Sequence, residues 1–208
     1  MGSDLVYNIQ PGPYWDWRIA LDLFFGGAGV GALLFGVMLD VFFKGRYQRI
    51  CQTAAWLSPI LVVLGLGFLL LELGRPLRLL LTFVHFAPTS PLWWGGIFQT
   101  ALVLGSVAHA LKWRSSVTYD RGRRLLGYVL APVAVVVGAY HGLLLALIPS
   151  RPLWNTGPTV VAAIICFAAT GIAAVMLTHL VRMKIAGRLV EGERLNEFME
   201  DMMPVRTV

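Results

Sequence analysis

The sequence predicts an all-α integral membrane protein of about five transmembrane helices, N-terminus outside and C-terminus inside. Three observations predict it. Of the 208 residues, 57% are hydrophobic and 13% charged, with mean hydropathy +0.71, whereas a water-facing domain carries about 25% charged residues. Five apolar runs reach the ~20 residues that cross a hydrocarbon core: about 18–43, 51–73, 93–112, 125–147 and 159–182. Lys and Arg also divide unequally between the two sides that five spans define. The net charge of +6 is therefore read as topology, and nucleic acid is not expected as a partner.

Residues 1–17 form an outer N-terminal segment ending in Trp15-Asp16-Trp17. It has no basic n-region, and the apolar run behind it is too long for a signal-peptide core, so no cleavable signal is expected. The first span contains Phe24-Phe25-Gly26-Gly27-Ala28-Gly29-Val30-Gly31-Ala32, which holds the G-x-G-x-x-A spacing of a dinucleotide site. That fingerprint needs a strand before the glycines and a helix N-terminus aimed at pyrophosphate. Here the glycines fall mid-helix, where the amides are already bonded. The spacing Gly27-x-x-x-Gly31 and Ala28-x-x-x-Ala32-x-x-x-Gly36 is instead that of a close helix-packing seam.

The second span opens at Cys51 and ends near Glu72; the third opens on Trp93-Trp94 and carries Gln99. The fourth holds Pro132, which membrane helices tolerate when neighbours satisfy the freed carbonyl, and ends around Tyr140-His141. The fifth is followed by a cytoplasmic tail, 183–208. There Ile185, Leu189, Leu195, Phe198, Met199 and Met202 recur at helical spacing, either as an amphipathic surface helix or as a solvated one. The loops are short, with no linker, so the spans (18–182) form one helical domain. Cys51 and Cys166 are too few for an iron–sulfur cluster and are expected to be buried free thiols.

Four basic residues lie on the N-terminal side: Arg18, Arg75, Arg78 and Arg151. The other thirteen lie opposite. The positive-inside rule places the thirteen in the cytoplasm. With outer and inner so assigned, the ionisable groups can be placed by depth at 1.5 Å per residue. Asp22 lies about one turn inside the outer end of span one, Glu72 at the outer end of span two, and Gln99 under two turns inside span three. Tyr140 and His141 lie about two turns inside span four. Arg75, Arg78, His85, Arg151 and Asn155 occupy the outer loops. Polar groups in hydrocarbon are functional candidates by default, and a carboxylate as deep as Asp22 needs a partner or a proton. On the inner side Asp40 has Lys44 one turn on as an ion-pair partner.

Such a set suits a small amphiphile with an apolar ring and two carbonyls, such as a quinone. Tyr140 would donate to a carbonyl, and His141 or Asp22 would handle protons.

Four stretches carry a resemblance: Glu72-Leu73-Gly74-Arg75-Pro76-Leu77-Arg78; Pro88-Thr89-Ser90-Pro91-Leu92-Trp93-Trp94-Gly95; Tyr140-His141-Gly142-Leu143-Leu144-Leu145; and Ser150-Arg151-Pro152-Leu153-Trp154-Asn155-Thr156. With Trp15-Asp16-Trp17 they resemble the polysulfide reductase membrane-subunit (NrfD-like) family, in the right order from about residue 14 to 182. The resemblance implies a quinone-binding anchor (menaquinone or ubiquinone) whose first four spans form a four-helix bundle, with no haem in this chain. It implies an outer-face partner, a ferredoxin-like subunit with four 4Fe-4S clusters, and beyond it a molybdenum bis-pterin catalytic subunit; further membrane subunits are compatible. The family's quinone-contacting tyrosine matches Tyr140. A polar position of some members falls near Ile19, one turn from Asp22. Glu72, Arg75 and Gln99 would complete the site, and Arg78, Trp93, Trp94, Arg151, Trp154 and Asn155 its rim or the partner contact. Members usually have about eight spans, so groups from later spans are absent here or come from another polypeptide. On this reading the protein is a subunit of a complex and not catalytic alone.

Three alternatives stay open. A dihaem b-type anchor would use His85, His109, His141 and His179. A transporter is suggested by Arg-Pro-Leu at 75–77 and again at 151–153. A passive anchor would keep the helices without a working pocket.

Overall fold

A computed structural model describes residues 17–43, 46–72, 89–115, 120–147, 154 and 156–185. Their secondary structure is five helices: α1 (Trp17–Phe42), α2 (Gln48–Glu72), α3 (Pro91–Ser115), α4 (Arg121–Ala146) and α5 (Gly157–Ile185). Each is long and apolar enough to cross a membrane. No strand occurs among the described residues. Because backbone groups in lipid must be satisfied internally, a bundle of helices is the form such runs take. The protein is a multi-pass membrane protein. Residues 1–16 and 186–208, the N-terminal segment and the tail, lie outside the described residues.

Helix ends follow local chemistry. Pro91 occupies the first turn of α3, where its missing N–H is no loss, and the Trp93 amide donates to the Ser90 carbonyl at 3.1 Å. Asp120 caps α4: its backbone is extended, and its carboxylate accepts from the Gly122 amide at 2.9 Å. Pro59 and Pro132 sit inside α2 and α4 without ending them.

The helix α1 is the hub. It packs most extensively against α2, then α5, and also against α4, while α2–α3 and α3–α4 contacts close the first four helices into a ring. The fifth helix lies outside that ring on α1 and α4, with a smaller contact to α2. The glycines explain the hub. A Cβ at Gly36 would lie 2.7 Å from the Ala54 methyl, and one at Gly29 2.9 Å from the Val62 nitrogen. At Gly65 it would lie 2.6 Å from the Gly26 nitrogen. The α1–α2 hairpin is thus an antiparallel pair in near backbone contact. On another face of α1, Gly27 seats the Phe167 ring, and a side chain at Gly31 would strike the Phe167 carbonyl. Gly171 in turn faces the backbone of Gly31 and Ala32. The expected seam exists and has two partners: Gly27 and Gly31 meet α5, and Gly36 meets α2.

Between the ring helices lies an apolar cluster: Val30, Leu33, Val62, Leu102, Ala134 and Val137 are each 3% exposed or less, with the hydroxyls of Ser58 and Ser106 buried among them. Inward of it is a buried ionic cluster. Asp40 Oδ1 is 3.3 Å from Arg123 NH2, and Oδ2 is 3.7 Å from Arg124 Nε. The Arg123 guanidinium stacks over the Trp113 ring at 3.7 Å, a cation–π contact strengthened by desolvation. Asp40 is therefore held across the bundle from α4; Lys44, the partner expected one turn on, lies outside the described residues. Of the two thiols, Cys51 is buried as expected, whereas Cys166 is exposed on α5. Its side faces where lipid would be, which is compatible with an uncharged thiol.

Candidate functional site

At the outer end, α1 and α4 bring two of the expected residues together. Asp22 and His141 are 5% and 4% exposed. Both approach Gly26: a Cβ there would lie 3.7 Å from Asp22 Oδ1 and 3.8 Å from His141 Nε2. Glycine at 26 thus leaves open the space between a carboxylate and an imidazole. His141 Nδ1 is 2.8 Å from the Val137 carbonyl, which accepts only from Nδ1–H. A neutral ring donating from Nδ1 carries its lone pair on Nε2, the nitrogen that lies beside Gly26. Asp22 Oδ1 has no hydrogen-bond partner among the described residues.

Tyr140 goes elsewhere. Consecutive helical residues point about 100° apart, and Tyr140 lies across α3, on Gly95, where any side chain would overlap its phenol end. Its ring stays 5.8 Å from that of His141, edge to face. There it lines a groove of ≈ 460 Å³ formed by Thr89, Trp94, Phe98, Val136 and Leu143 with Tyr140 itself. The groove opens sideways: Trp94, Val136 and Leu143 are exposed, on the surface that lipid would cover. Trp94 stacks on Phe98 at 6.1 Å, giving the groove a flat aromatic wall, and Trp93 packs edge-on against Trp94 at 4.9 Å.

The single cluster expected from depth is thus two compartments. A lipid-open slot carries Tyr140, while Asp22 and His141 are buried beside Gly26. Gln99 is buried one turn inward of Gly95, its Oε1 without a hydrogen-bond partner among the described residues. Glu72 pairs at the surface with Arg18, Oε2 to NH1 3.6 Å. Trp154 is exposed. Arg75, Arg78, His85, Arg151 and Asn155 lie outside the described residues.

Two residues of this region escaped sequence reading. Arg18 sits four residues before Asp22, so their shared face was available from spacing alone. Phe167, which packs edge-on against His141 at 6.1 Å, carried no signal, because nothing in an apolar run tells which ring meets an imidazole.

The remaining histidines serve other contacts. His109 is buried at the inner end, edge-on to Trp113 at 6.5 Å. His179 Nδ1 lies 3.5 Å from Thr53 Oγ1, and that hydroxyl oxygen also accepts from Arg182 at 2.7 Å. His109 Nε2 lies toward Gly127 on α4, and His179 faces Thr53 on α2. Among the described residues no group of three or more His, Cys, Asp or Glu could hold a metal.

The sequence matches a known family and several known proteins. The profile of the family described as "Polysulphide reductase, NrfD" matches residues 6–205. The C component of the polysulfide reductase of Wolinella succinogenes is 28% identical over 93% of this protein and 65% of its own length. Protein NrfD of Escherichia coli K12 is 28% identical over 82% of this protein and 61% of its own. The C component of the selenate reductase of Mesobacillus selenatarsenatis is 32% identical over 45% of this protein and 22% of its own. The sequence thus spans less than two thirds of the length of the first two relatives.

Proposed function

We propose that this protein, which belongs to the polysulphide reductase NrfD family, is the membrane subunit through which an oxidoreductase complex exchanges electrons with a membrane quinone. The observation that carries this is the outer-end groove with Tyr140 in its lining. Its volume lies within the ~300–1,000 Å³ of small-molecule sites. It is apolar, has an aromatic wall, and opens where a lipid-soluble ligand arrives. Tyr140 supplies the hydroxyl that donates to one quinone carbonyl. Menaquinone and ubiquinone share that carbonyl chemistry.

His141 and Asp22, one residue and one helix away, are the proton-handling pair. Gln99 is a further buried polar group on α3, and Arg75 is the basic residue of the outer loop assigned to the site. The electron partner is a ferredoxin-like subunit with four 4Fe-4S clusters on the outer face, which connects to a molybdenum bis-pterin catalytic subunit. The relatives named as components of polysulfide and selenate reductases support a place in such a complex. Trp93, Trp94, Trp154, Arg78, Arg151 and Asn155 provide the aromatic and guanidinium groups typical of docking hot spots.

The test is Tyr140→Phe in the assembled complex, titrated with dimethylnaphthoquinone. One lost hydrogen bond of ~1–1.5 kcal/mol weakens quinone affinity roughly tenfold, with assembly intact. Unchanged affinity and unchanged quinol turnover overturn the proposal.

A further inference from the structure

We infer that quinone and protons reach this site by separate routes: the quinone from the lipid through the Tyr140 groove, and its protons along His141, Asp22 and the Arg18–Glu72 pair to the outer water. The inference rests on the quinone reading above and assigns Glu72 a different place from that of a quinone ligand.

Four ionisable groups form a descending line. Glu72 and Arg18 are paired at the surface, their side chains 26% and 40% exposed. One turn below Arg18 on α1 is Asp22, buried, with Oδ1 lacking a hydrogen-bond partner among the described residues. One turn below that is Gly26, where Asp22 Oδ1 and His141 Nε2 border the same point at 3.7 and 3.8 Å. The space beside Gly26 has polar atoms on two sides, one condition under which a protein interior holds a water molecule. A water there would link the imidazole to the carboxylate. The helices α1, α2 and α4 supply the charged and titratable groups around Asp22: Arg18, Glu72, Tyr140 and His141. The helix α5 contributes the apolar Phe167 against His141.

Inward, the titratable groups stop. Val30, Leu33, Val62, Leu102, Ala134 and Val137 form an apolar layer beneath, in which the buried polar side chains Ser58 and Ser106 are uncharged hydroxyls, and the acid beyond that layer, Asp40, is engaged by two arginines. Glu72 is therefore the described acid through which Asp22 reaches water.

The steps balance. In the direction of quinol oxidation, the two O–H bonds of the quinol break. Each proton leaves the groove past Tyr140, whose ring lies 5.8 Å from that of His141, and passes to His141 Nε2, whose Nδ1–H stays on the Val137 carbonyl, then to Asp22, then to water at Glu72. The two electrons leave to the one-electron iron–sulfur carriers of the docked subunit. Quinone reduction runs the same steps in reverse, with protons from outer water and electrons from those carriers. Arg18 is a positioning residue: it holds Glu72 over the line.

The experiment uses the assembled complex and dimethylnaphthoquinol, with Glu72→Gln, Asp22→Asn and Tyr140→Phe. Quinone affinity, turnover, the solvent deuterium isotope effect and rescue by added formate are measured for each. The expected result is that Glu72→Gln and Asp22→Asn keep quinone affinity within about twofold. Turnover then falls by about 10–100-fold, as loss of a general acid–base group implies. The isotope effect rises, and formate restores part of the Glu72→Gln rate, which a merely structural role would not allow. Wild-type turnover and isotope effect in both acid variants overturn the separate route, and so does loss of quinone affinity in Asp22→Asn. In either case Tyr140→Phe still reports independently: if it loses affinity the quinone reading stands, and if it does not that reading fails first.

Discussion

Asp22 and His141 approach each other from different helices across a single glycine, Gly26, with an oxygen and a nitrogen within 4 Å of the place its side chain would occupy. A methyl group there makes ordinary van der Waals contacts at 3.7 and 3.8 Å, so the fold tolerates it. Gly26→Ala should leave stability unchanged or raise it by up to ~1 kcal/mol, the helix-propensity difference. It should also displace whatever links the two side chains and slow quinol turnover by about tenfold or more, the scale of a lost proton-transfer group. Thermal unfolding and turnover of the same preparation check both halves. Full turnover in Gly26→Ala would mean that the pair is idle.

The seam between α1 and α5 behaves in the opposite way. A side chain at Gly31 meets the Phe167 carbonyl, and one at Gly171 meets the backbone of Gly31 and Ala32. Backbone cannot rotate aside as a side chain can. Gly31→Ala and Gly171→Ala should each destabilise by ~1–3 kcal/mol or more through overpacking. Gly67→Ala is the control: nothing lies within 4 Å of its added carbon, and it should gain ~0.5–1 kcal/mol. Thermal unfolding in detergent separates the three. Equal stability of Gly31→Ala and wild type would mean that α5 does not sit in the seam.

These contrasts show which parts of the molecule were legible in the sequence. Spans announce themselves by length and hydropathy, and the small-residue spacing around Gly27 and Gly31 declared a close approach. Depth counting placed Asp22, Tyr140 and His141 at one level, because rise per residue is fixed. It did not show that Tyr140 and His141 face different compartments, since that depends on which neighbour each helix face meets. The identity of the seam's partners was hidden for the same reason. Arg123 was read as one of thirteen cytoplasmic charges, yet it is 1% exposed. Its burial depends on Asp40 and Trp113, from two other helices, and no local pattern contains that meeting.

Removing one partner of that inner cluster leaves a buried charge without its match. Asp40→Asn should therefore destabilise the protein by ~3–5 kcal/mol, the scale of a broken buried ion pair. Asp40→Leu combined with Arg123→Met should lose less than either substitution alone, because no uncompensated Arg123 charge remains buried. Unfolding of the two single variants and the double variant forms a cycle that measures the coupling. Additive losses would mean that Arg124 alone, 3.7 Å from Asp40, satisfies the carboxylate.

Two glycines on α3 separate site geometry from packing on one helix. A carbon added at Gly105 meets the end of the Leu130 side chain, and one added at Gly95 meets the phenol end of Tyr140. Leu130 has other rotamers, so Gly105→Ala should change stability by no more than ~1–3 kcal/mol and leave quinone affinity at the wild-type value. Gly95→Ala keeps the Tyr140 hydroxyl but pushes it out of its place in the groove. Its loss of quinone affinity should approach that of Tyr140→Phe, roughly tenfold for one hydrogen bond, and combining the two substitutions should add little, since both remove the same contact. Dimethylnaphthoquinone titration of the three variants decides it. Independent, additive losses would show that Gly95 shapes the slot for the ring and that Tyr140 acts from a position other than the one it holds across α3.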